Sequence, residues 1–159
     1  MLFEGSCGCG AVGFQVRSNA PYPYLRGFGR LDRKIAGSGG FAAFLFAHAP
    51  TLEIDGKEHI RIFHWPAEDG GEPILEHHFC GQCGSALWQF DPRWPDHLHP
   101  YATAVDSPLP VPPEYNDFNI AERASWVNLP PGDNATREDG GYTTGMAAWH
   151  REKGWLVED

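Results

Sequence analysis

No stretch of this sequence approaches the roughly 20 consecutive apolar residues that a membrane-spanning helix requires. The N-terminal segment, MLFEGSCGCGAVGF, also lacks the basic region and the unbroken apolar core of a secretory signal peptide. These absences argue against a membrane partner. We therefore expect a soluble, cytoplasmic protein.

Positive charge is scarce as well. The 159 residues include 12 Lys and Arg against 21 Asp and Glu, so the formal net charge is -9. A chain with this balance repels a phosphate backbone, and no basic stripe is long enough to offset that repulsion. Nucleic acid is therefore excluded as an expected partner.

Cysteine is limited to two short-spaced pairs: Cys7 and Cys9, then Cys80 and Cys83. An even number permits two disulfides, but in a reducing compartment thiolates tend to bind metal instead. Glycine within each pair lets the backbone curl around an ion, and four thiolates suit one tetrahedral, structural zinc. Three other interpretations stay open here: a C-x-x-C redox pair, four unlinked core cysteines and an iron–sulfur cluster.

Length and turn residues indicate a single β-rich domain over residues 1–159. With 42% hydrophobic residues the chain can bury a core, and 14 Pro and 19 Gly divide it into short elements. Residue alternation and β-branched or aromatic content predict strands in seven segments: 12–16, 41–48, 51–54, 59–65, 74–79, 86–90 and 101–105. Asp55-Gly56 is typical of a hairpin turn. A helix is predicted only over residues 143–153, and residues 26–40 are expected to form an irregular loop.

Three segments carry a resemblance to a known family: GSCGCGAV at 5–12, AGSGG at 36–40 and HFCGQCGSALW at 78–88. With them the chain resembles the glutathione-dependent formaldehyde-activating enzyme (GFA) family, which includes centromere protein V. The DPRWP and SPLPVPP segments and the late helix extend the likeness over nearly the whole chain. It implies a mainly β, β-tent (Mss4-like) fold, carbon–sulfur lyase as the family activity, and one structural zinc on the four cysteines.

The resemblance departs from the family at its second, catalytic zinc. Family members hold that ion on a C-x-C-x-x-C motif between an arginine and an Arg-Lys pair. Here the stretch reads RGFGRLDRK, which places Gly27, Gly29 and Asp32 at the three ligand positions. Glycine offers no ligand atom, and one carboxylate does not hold zinc alone. We therefore expect this zinc to be missing and its pocket to admit an organic substrate.

Asp32 is the first catalytic candidate in that pocket. Its carboxyl group can act as a general acid or base or orient a substrate; the alternative is a surface aspartate in a charged loop. His48 and His78 are further candidates, because histidine titrates near neutral pH. Strand alternation puts His77 and His78 on opposite faces, so at most one of that pair faces the pocket.

Five residues are predicted to bind the substrate. Arg26, Arg33 and Lys34 can pair with an anionic group, and the alternative is a solvated basic face. Phe28 and Trp88 can wall the cavity, whereas core packing is the more ordinary role of a single aromatic ring.

The leading hypothesis is a repurposed enzyme that performs lyase, isomerase or cyclisation chemistry on a small, anionic organic substrate through acid–base groups. One alternative is a non-catalytic pseudoenzyme that serves as a binding or scaffold protein. Another is a carbon–sulfur lyase that acts on a glutathione adduct with a rebuilt metal site. Retention of Arg26, Arg33 and Lys34 around the changed ligand positions favours the enzyme.

Overall fold

The computed structural model of the protein describes residues 1–36, 38–67, 70–129 and 134–158. Within these residues the chain forms twelve strands: β1 (Leu2–Ser6), β2 (Gly13–Arg17), β3 (Leu25–Gly27), β4 (Ala42–Phe44), β5 (Ala47–His48), β6 (Glu53–Asp55), β7 (Ile60–His64), β8 (Glu76–Cys80), β9 (Ala86–Phe90), β10 (His97–Pro100), β11 (Tyr115–Phe118) and β12 (Ala135–Arg137). Two α-helices accompany them, α1 (Arg30–Ile35) and α2 (Met146–Lys153). The predicted fold class, a mainly β protein, is confirmed.

The strands form three sheets. The first has the order β1-β2-β6, and the second has five antiparallel strands in the order β5-β10-β9-β8-β7. The third has the order β12-β11-β3-β4, in which β11 is parallel to both of its neighbours. The five-stranded sheet positions the candidate sites, because it carries one cysteine pair and its residues line two cavities.

β1 and β2 show how the sequence selects the core. Phe3 and Val16 face each other across this pair and are fully buried, whereas the next pair, Leu2 and Arg17, is exposed. This is the period of two that a half-buried sheet imposes. Burial of each such apolar side chain stabilises the fold by about 1.5–3 kcal/mol.

The segment predicted as an irregular loop contains β3 and α1, so that prediction was wrong. Six helical residues are too few to show an apolar period, which is why periodicity does not reveal α1. Its charges do follow the helix dipole: Asp32 lies in the first turn, and Arg33 and Lys34 lie in the last. The short helix places Asp32 directly after β3.

The predicted C-terminal helix is confirmed as α2. It ends at Gly154, whose φ of 70° lies in the left-handed region that commonly closes helices. Trp149 stacks on Tyr24 with ring centroids 3.5 Å apart, which attaches the helix to the body. Within the described residues, no helix combines the length and apolarity needed to cross a bilayer.

Two further elements differ from the predictions. Asp55-Gly56 does not close a hairpin, because β6 pairs with β2 and β7 pairs with β8. Residues 101–105 are not a strand: Ala102–Ala104 form a 3-10 turn, and the strand is β10 just before it. The prolines around β10 made that segment resemble a loop.

A buried ion pair fixes β3 in the third sheet. Asp117 of β11 lies opposite Arg26 of β3 and Arg137 of β12. Arg26 donates from Nε to Asp117 Oδ1 at 2.5 Å and from Nη2 to Oδ2 at 2.9 Å. Since the Asp117 side chain is fully buried, this bidentate contact compensates a charge that burial would otherwise penalise. The strand that carries Gly27 is thereby held against β11.

Candidate functional site

Two similar turns, one after β1 and one at the end of β8, carry Cys7, Cys9, Cys80 and Cys83. Each is followed by a glycine in the left-handed region, Gly10 with a φ of 75° and Gly84 with a φ of 76°. The backbone N–H of Val12 donates to Cys7 Sγ at 3.2 Å, and that of Gln82 donates to Cys80 Sγ at 3.4 Å. Such bonds stabilise thiolates.

The sulfur positions fit a tetrahedral metal ion. All four ligand atoms lie within 4.8 Å of one another. Cys9 Sγ is 3.5 Å from Cys7 Sγ and 3.9 Å from Cys80 Sγ. Zinc–sulfur bonds of about 2.3 Å in a tetrahedron put sulfurs about 3.8 Å apart, so the distances agree. A Cys₄ site leaves no open coordination position, which is the pattern of structural sites.

The pKa values of the cysteine thiols also favour the binding of a cation between them. Hydrogen bonds from the side chain and the backbone of Ser85 lower the pKa of Cys83 to about 6. A backbone hydrogen bond from Ala11 lowers the pKa of Cys9, yet contacts with its neighbours, first Cys7 and then Cys83, raise it to about 11. Adjacent thiolates repel one another, and a shared cation removes that repulsion.

Gly27, Gly29 and Asp32 meet at a second point of the fold. Gly27 ends β3, Gly29 precedes α1, and Asp32 lies in the first turn of α1. A methyl group added to Gly27 would lie 2.6 Å from Asp32 Oδ2, and one added to Gly29 would lie 3.0 Å from that atom. The three positions that the family resemblance aligned with zinc ligands thus converge on one carboxyl group.

The Asp32 carboxyl is partly buried and hydrogen-bonded. Burial raises its pKa most, the backbone N–H of Gly29 lowers it, the charge of Glu122 raises it and the side-chain amide of Asn119 lowers it. The result is a pKa of about 6. This carboxyl group changes protonation near neutral pH, where a general acid or base is most effective.

Asn119 reaches Asp32 from an uncommon backbone conformation. Its φ is 55° and its ψ is 37°, and among the described residues it alone combines a positive φ with a side chain. Asparagine tolerates this left-handed region better than most residues. The Asn119 N–H donates to Gly140 O at 2.6 Å, which helps to hold the conformation.

Asp32 lines a cavity of about 400 Å³ between α1, the third sheet and the five-stranded sheet. This volume is typical of small-molecule sites. Aromatic rings supply much of the wall: Phe44, Trp65, Trp94, Phe118 and Tyr142. Gln89 and His99 add polar groups from the sheet, and burial lowers the pKa of His99 to about 4, so its ring is neutral at pH 7. We name this space the Asp32 cavity.

A family model described as "Glutathione-dependent formaldehyde-activating enzyme" matches residues 2–120. The match includes both cysteine pairs, the Gly27 to Asp32 stretch and Asn119. The chain belongs to the GFA family. A Halomonas elongata protein named "Putative glutathione-dependent formaldehyde-activating enzyme" is 44% identical over 155 residues, which cover 97% of this chain and 98% of that protein.

A solved structure agrees with the GFA fold. The crystal structure of a Rhodobacter sphaeroides protein matches 67% of this chain and 91% of its own chain, with a TM-score of 0.52 and 23% sequence identity. At this identity the likeness bears on the fold alone, and it supports a small β architecture.

Most residues predicted to bind the substrate lie away from the Asp32 cavity of this GFA protein. The guanidinium of Arg26 is held by Asp117, and Phe28 is buried against Phe41 with ring centroids 5.3 Å apart. Among the residues that the structure describes, the cavity lining contains none of the following: Arg26, Phe28, Arg33 and Lys34. The basic side chains expected to meet an anionic substrate are therefore not gathered here.

The histidine candidates and Trp88 also lie elsewhere. His48 ends β5 with its ring edge-on to Phe46, outside the described lining of the Asp32 cavity. His77 contacts the Tyr101 hydroxyl while His78 contacts Glu76, which agrees with the predicted opposite faces. His78 and Trp88 line a second cavity, on the other face of the five-stranded sheet.

Several residues near Asp32 belong to no sequence motif that would identify them as part of the site. They come from distant segments: Gln89, His99, Asn119, Glu122 and Tyr142. Asn119 offers the nearest signal, because asparagine is enriched in the left-handed conformation. Asn119 reaches Asp32 because β3 pairs in parallel with β11, and no local sequence motif predicts that pairing.

Proposed function

We propose that this GFA family member is an acid–base enzyme that acts on a small, uncharged organic molecule in the Asp32 cavity. One observation carries the proposal. The three positions that the family resemblance aligns with zinc ligands converge on a partly buried carboxyl group whose pKa of about 6 suits proton transfer. In this proposal the protein's metal is a structural zinc in the Cys₄ cluster, which stabilises the fold when bound.

Asp32 performs the proton transfer. Above pH 6 its carboxylate accepts a proton from a carbon or hydroxyl group of the substrate, and the resulting acid returns a proton to another atom of the same molecule. The proton balance closes without an oxidant or reductant, as isomerisation, cyclisation and elimination require. Gly29 and Asn119 orient the carboxylate, and the aromatic wall offers apolar contacts to the substrate.

The charges around Asp32 favour an uncharged substrate. The carboxyl groups in the lining are Asp32, Asp91 and Glu122, and the arginines are Arg30 and Arg93. Arg93 already donates to Asp91, with Nη2 2.6 Å from Oδ2. An anion would therefore meet the unneutralised charge of Asp32 or Glu122, whereas a neutral carbonyl or hydroxyl compound would not.

Deuterium exchange tests the proposal without knowledge of the natural substrate. A panel of neutral aryl and cyclic ketones is incubated in D₂O with the protein, and loss of the α-proton signals is followed by ¹H NMR. We expect accelerated exchange for some members, with an apparent pKa near 6 for the rate. Asp32→Asn should slow it by about 10²-fold or more, the usual contribution of a general base. Equal rates for the two proteins on ketones that bind would contradict the proposal.

A second candidate is the activity in the family's name. The 44% identical Halomonas elongata relative, matched over nearly its full length, favours it. Gly27 and Gly29 offer no ligand for the ion that such chemistry is expected to use. NMR exchange spectroscopy of glutathione, formaldehyde and their adduct separates the candidates: we expect no acceleration by this protein. Acceleration would instead support glutathione–formaldehyde chemistry, and inactivity in both assays without any bound ligand would support a pseudoenzyme.

A further inference from the structure

The five-stranded sheet carries a second cavity on the face opposite Asp32. Alternate residues divide between the two spaces: Gln89 and His99 line the Asp32 cavity, whereas Trp88 and Leu98 line the second one. The second cavity has a volume of about 480 Å³. The sheet thus separates two spaces that are each large enough for a small molecule.

The walls of the second cavity are largely apolar. Isoleucines from β6 and β7 face aromatic and leucine side chains of β9 and β10, among them Ile54, Ile60, Ile62, Phe90 and Leu98. Trp88 lines the cavity with only 2% of its surface exposed, because the His78 ring stacks on it with centroids 5.3 Å apart and planes inclined by 26°. A flat, apolar molecule matches this surface in shape and polarity.

Two charged side chains, Lys57 and Glu76, interrupt the apolar wall, and Glu76 supplies a fixed acceptor. Glu76 Oε2 lies 2.7 Å from His78 Nε2, and Glu76 Oε1 lies 3.6 Å from His64 Nε2. The Glu76 side chain is only 19% exposed, so its position is set by these neighbours. A carboxylate has about four lone-pair sites, and two histidine contacts leave acceptor capacity for a donor on a ligand.

We propose that this second cavity binds a small, flat, mainly apolar molecule that carries one hydrogen-bond donor, with the donor directed at Glu76. The ring packs among the isoleucines and Phe90, next to the stacked rings of His78 and Trp88. The concave shape and the partly buried acceptor Glu76 favour such a ligand over a flat protein partner. This inference is independent of the chemistry proposed for Asp32.

Two matched probes test the donor requirement. 2-Naphthol and 2-methoxynaphthalene share a ring system, but only the first has a hydroxyl donor. Each is titrated into the full-length protein, and binding is followed by ¹H–¹⁵N NMR at the Trp88 indole and at the amides of β8 to β10. We expect 2-naphthol to shift these signals and to bind about tenfold more tightly than its methyl ether, as expected for a hydrogen bond to a charged group.

Variants locate the site. Ile62 is 48% exposed on β7, so Ile62→Glu places a charge in the wall with little risk to the core and should weaken 2-naphthol binding at least tenfold. Val111→Glu, at a position 82% exposed and outside the described lining, is the control and should leave binding unchanged. Glu76→Gln replaces the charged acceptor with a neutral carbonyl and should therefore reduce the preference for 2-naphthol over its ether. Asp32→Asn should change nothing here, which keeps this test separate from that of the proposed function.

Three results would overturn the proposal. One is the absence of shifts around Trp88 at millimolar 2-naphthol. Another is equal affinity for both probes. The third is a concentration-dependent dimer that Ile62→Glu abolishes and Val111→Glu does not, because it would assign this face to a second copy of the chain.

Discussion

Two candidate sites of this protein, the Cys₄ cluster and the turn before α1, differ in the ligand atoms that their side chains supply. The Cys₄ cluster brings four sulfurs within 4.8 Å of one another, with backbone N–H groups directed at two of them. At the turn before α1 three positions converge, but Gly27, Gly29 and Asp32 supply only one carboxyl group between them. The first site therefore suits a metal ion, whereas the second suits the proton transfer that we propose for it.

The largest expected difference between the two sites is in how much metal and stability the protein loses when a ligand residue is replaced. Cys80 is fully buried, so Cys80→Ser should remove the bound metal and lower the free energy of unfolding by about 5 kcal/mol or more, comparable with the whole stability of a small domain. Elemental analysis and thermal unfolding by circular dichroism measure both effects. Asp32→Asn serves as the control and should keep its metal. A Cys80→Ser protein that keeps its full metal content would contradict the assignment of the metal to the Cys₄ cluster.

The second difference concerns the room for a side chain at Gly27 and Gly29 in the turn before α1. An added methyl at Gly27 would lie 2.6 Å from both Asp32 Oδ2 and Phe118 Cζ. Gly27→Ala should therefore destabilise the protein by about 1–3 kcal/mol in urea unfolding.

Gly29 and Gly145 form a matched pair for this test. Both precede a helix, with φ and ψ of -59° and 158° at Gly29 and of -62° and 148° at Gly145. At Gly29 the added methyl meets Asp32 Oδ2 and Asn119 Nδ2 at 3.0 Å, whereas at Gly145 nothing lies within 4 Å. Gly29→Ala should cost about 1 kcal/mol more than Gly145→Ala. Equal costs would show that the Asp32 turn has room for a side chain.

The third difference is the pH dependence of stability at Asp32. Its folded pKa of about 6 lies above the ordinary value of 3.8, so the folded state binds more protons than the unfolded state between these pH values. Stability contributed by this group therefore falls as pH rises from about 4 to about 6. Asp32→Asn removes the penalty, and it should be more stable than wild type by on the order of 2 kcal/mol at pH 8 and by little at pH 4. A stability difference that is the same at both pH values would contradict the raised pKa.

The smallest effect expected is at Asn119. Glycine accepts its left-handed backbone without strain, so Asn119→Gly removes the amide donor while keeping the chain path. Since that amide lowers the pKa of Asp32, the variant should titrate at a pH above 6, by up to about one unit. Carboxyl ¹³C NMR of labelled aspartate measures the midpoint. Asn134→Gly, which removes an exposed amide that donates to Pro113, should leave it unchanged.

Local chemistry predicted part of this molecule well. Cysteine spacing was sufficient for the Cys₄ cluster, because its ligands lie in two short turns. Strand alternation likewise predicted β2, which buries one face, and aromatic content predicted β9. The two failures have separate causes, since α1 is too short for periodicity and β10 is bounded by prolines.

The surroundings of Asp32 depended on tertiary contacts. Asn119 and Glu122 lie about ninety residues away in the chain and reach Asp32 through the pairing of β11 with β3. Arg26 looked like a substrate-binding cation in sequence, but its partner Asp117 comes from the same distant strand. Pairing between distant strands is the information that a single sequence did not supply.

Native mass spectrometry of the protein, with elemental analysis after expression without added metal, decides between one metal position and two. One zinc per chain, unchanged in Asp32→Asn and lost in Cys80→Ser, is the predicted result. Two zinc ions per chain, with one lost in Asp32→Asn, would contradict the assignment of Asp32 to metal-free acid–base chemistry.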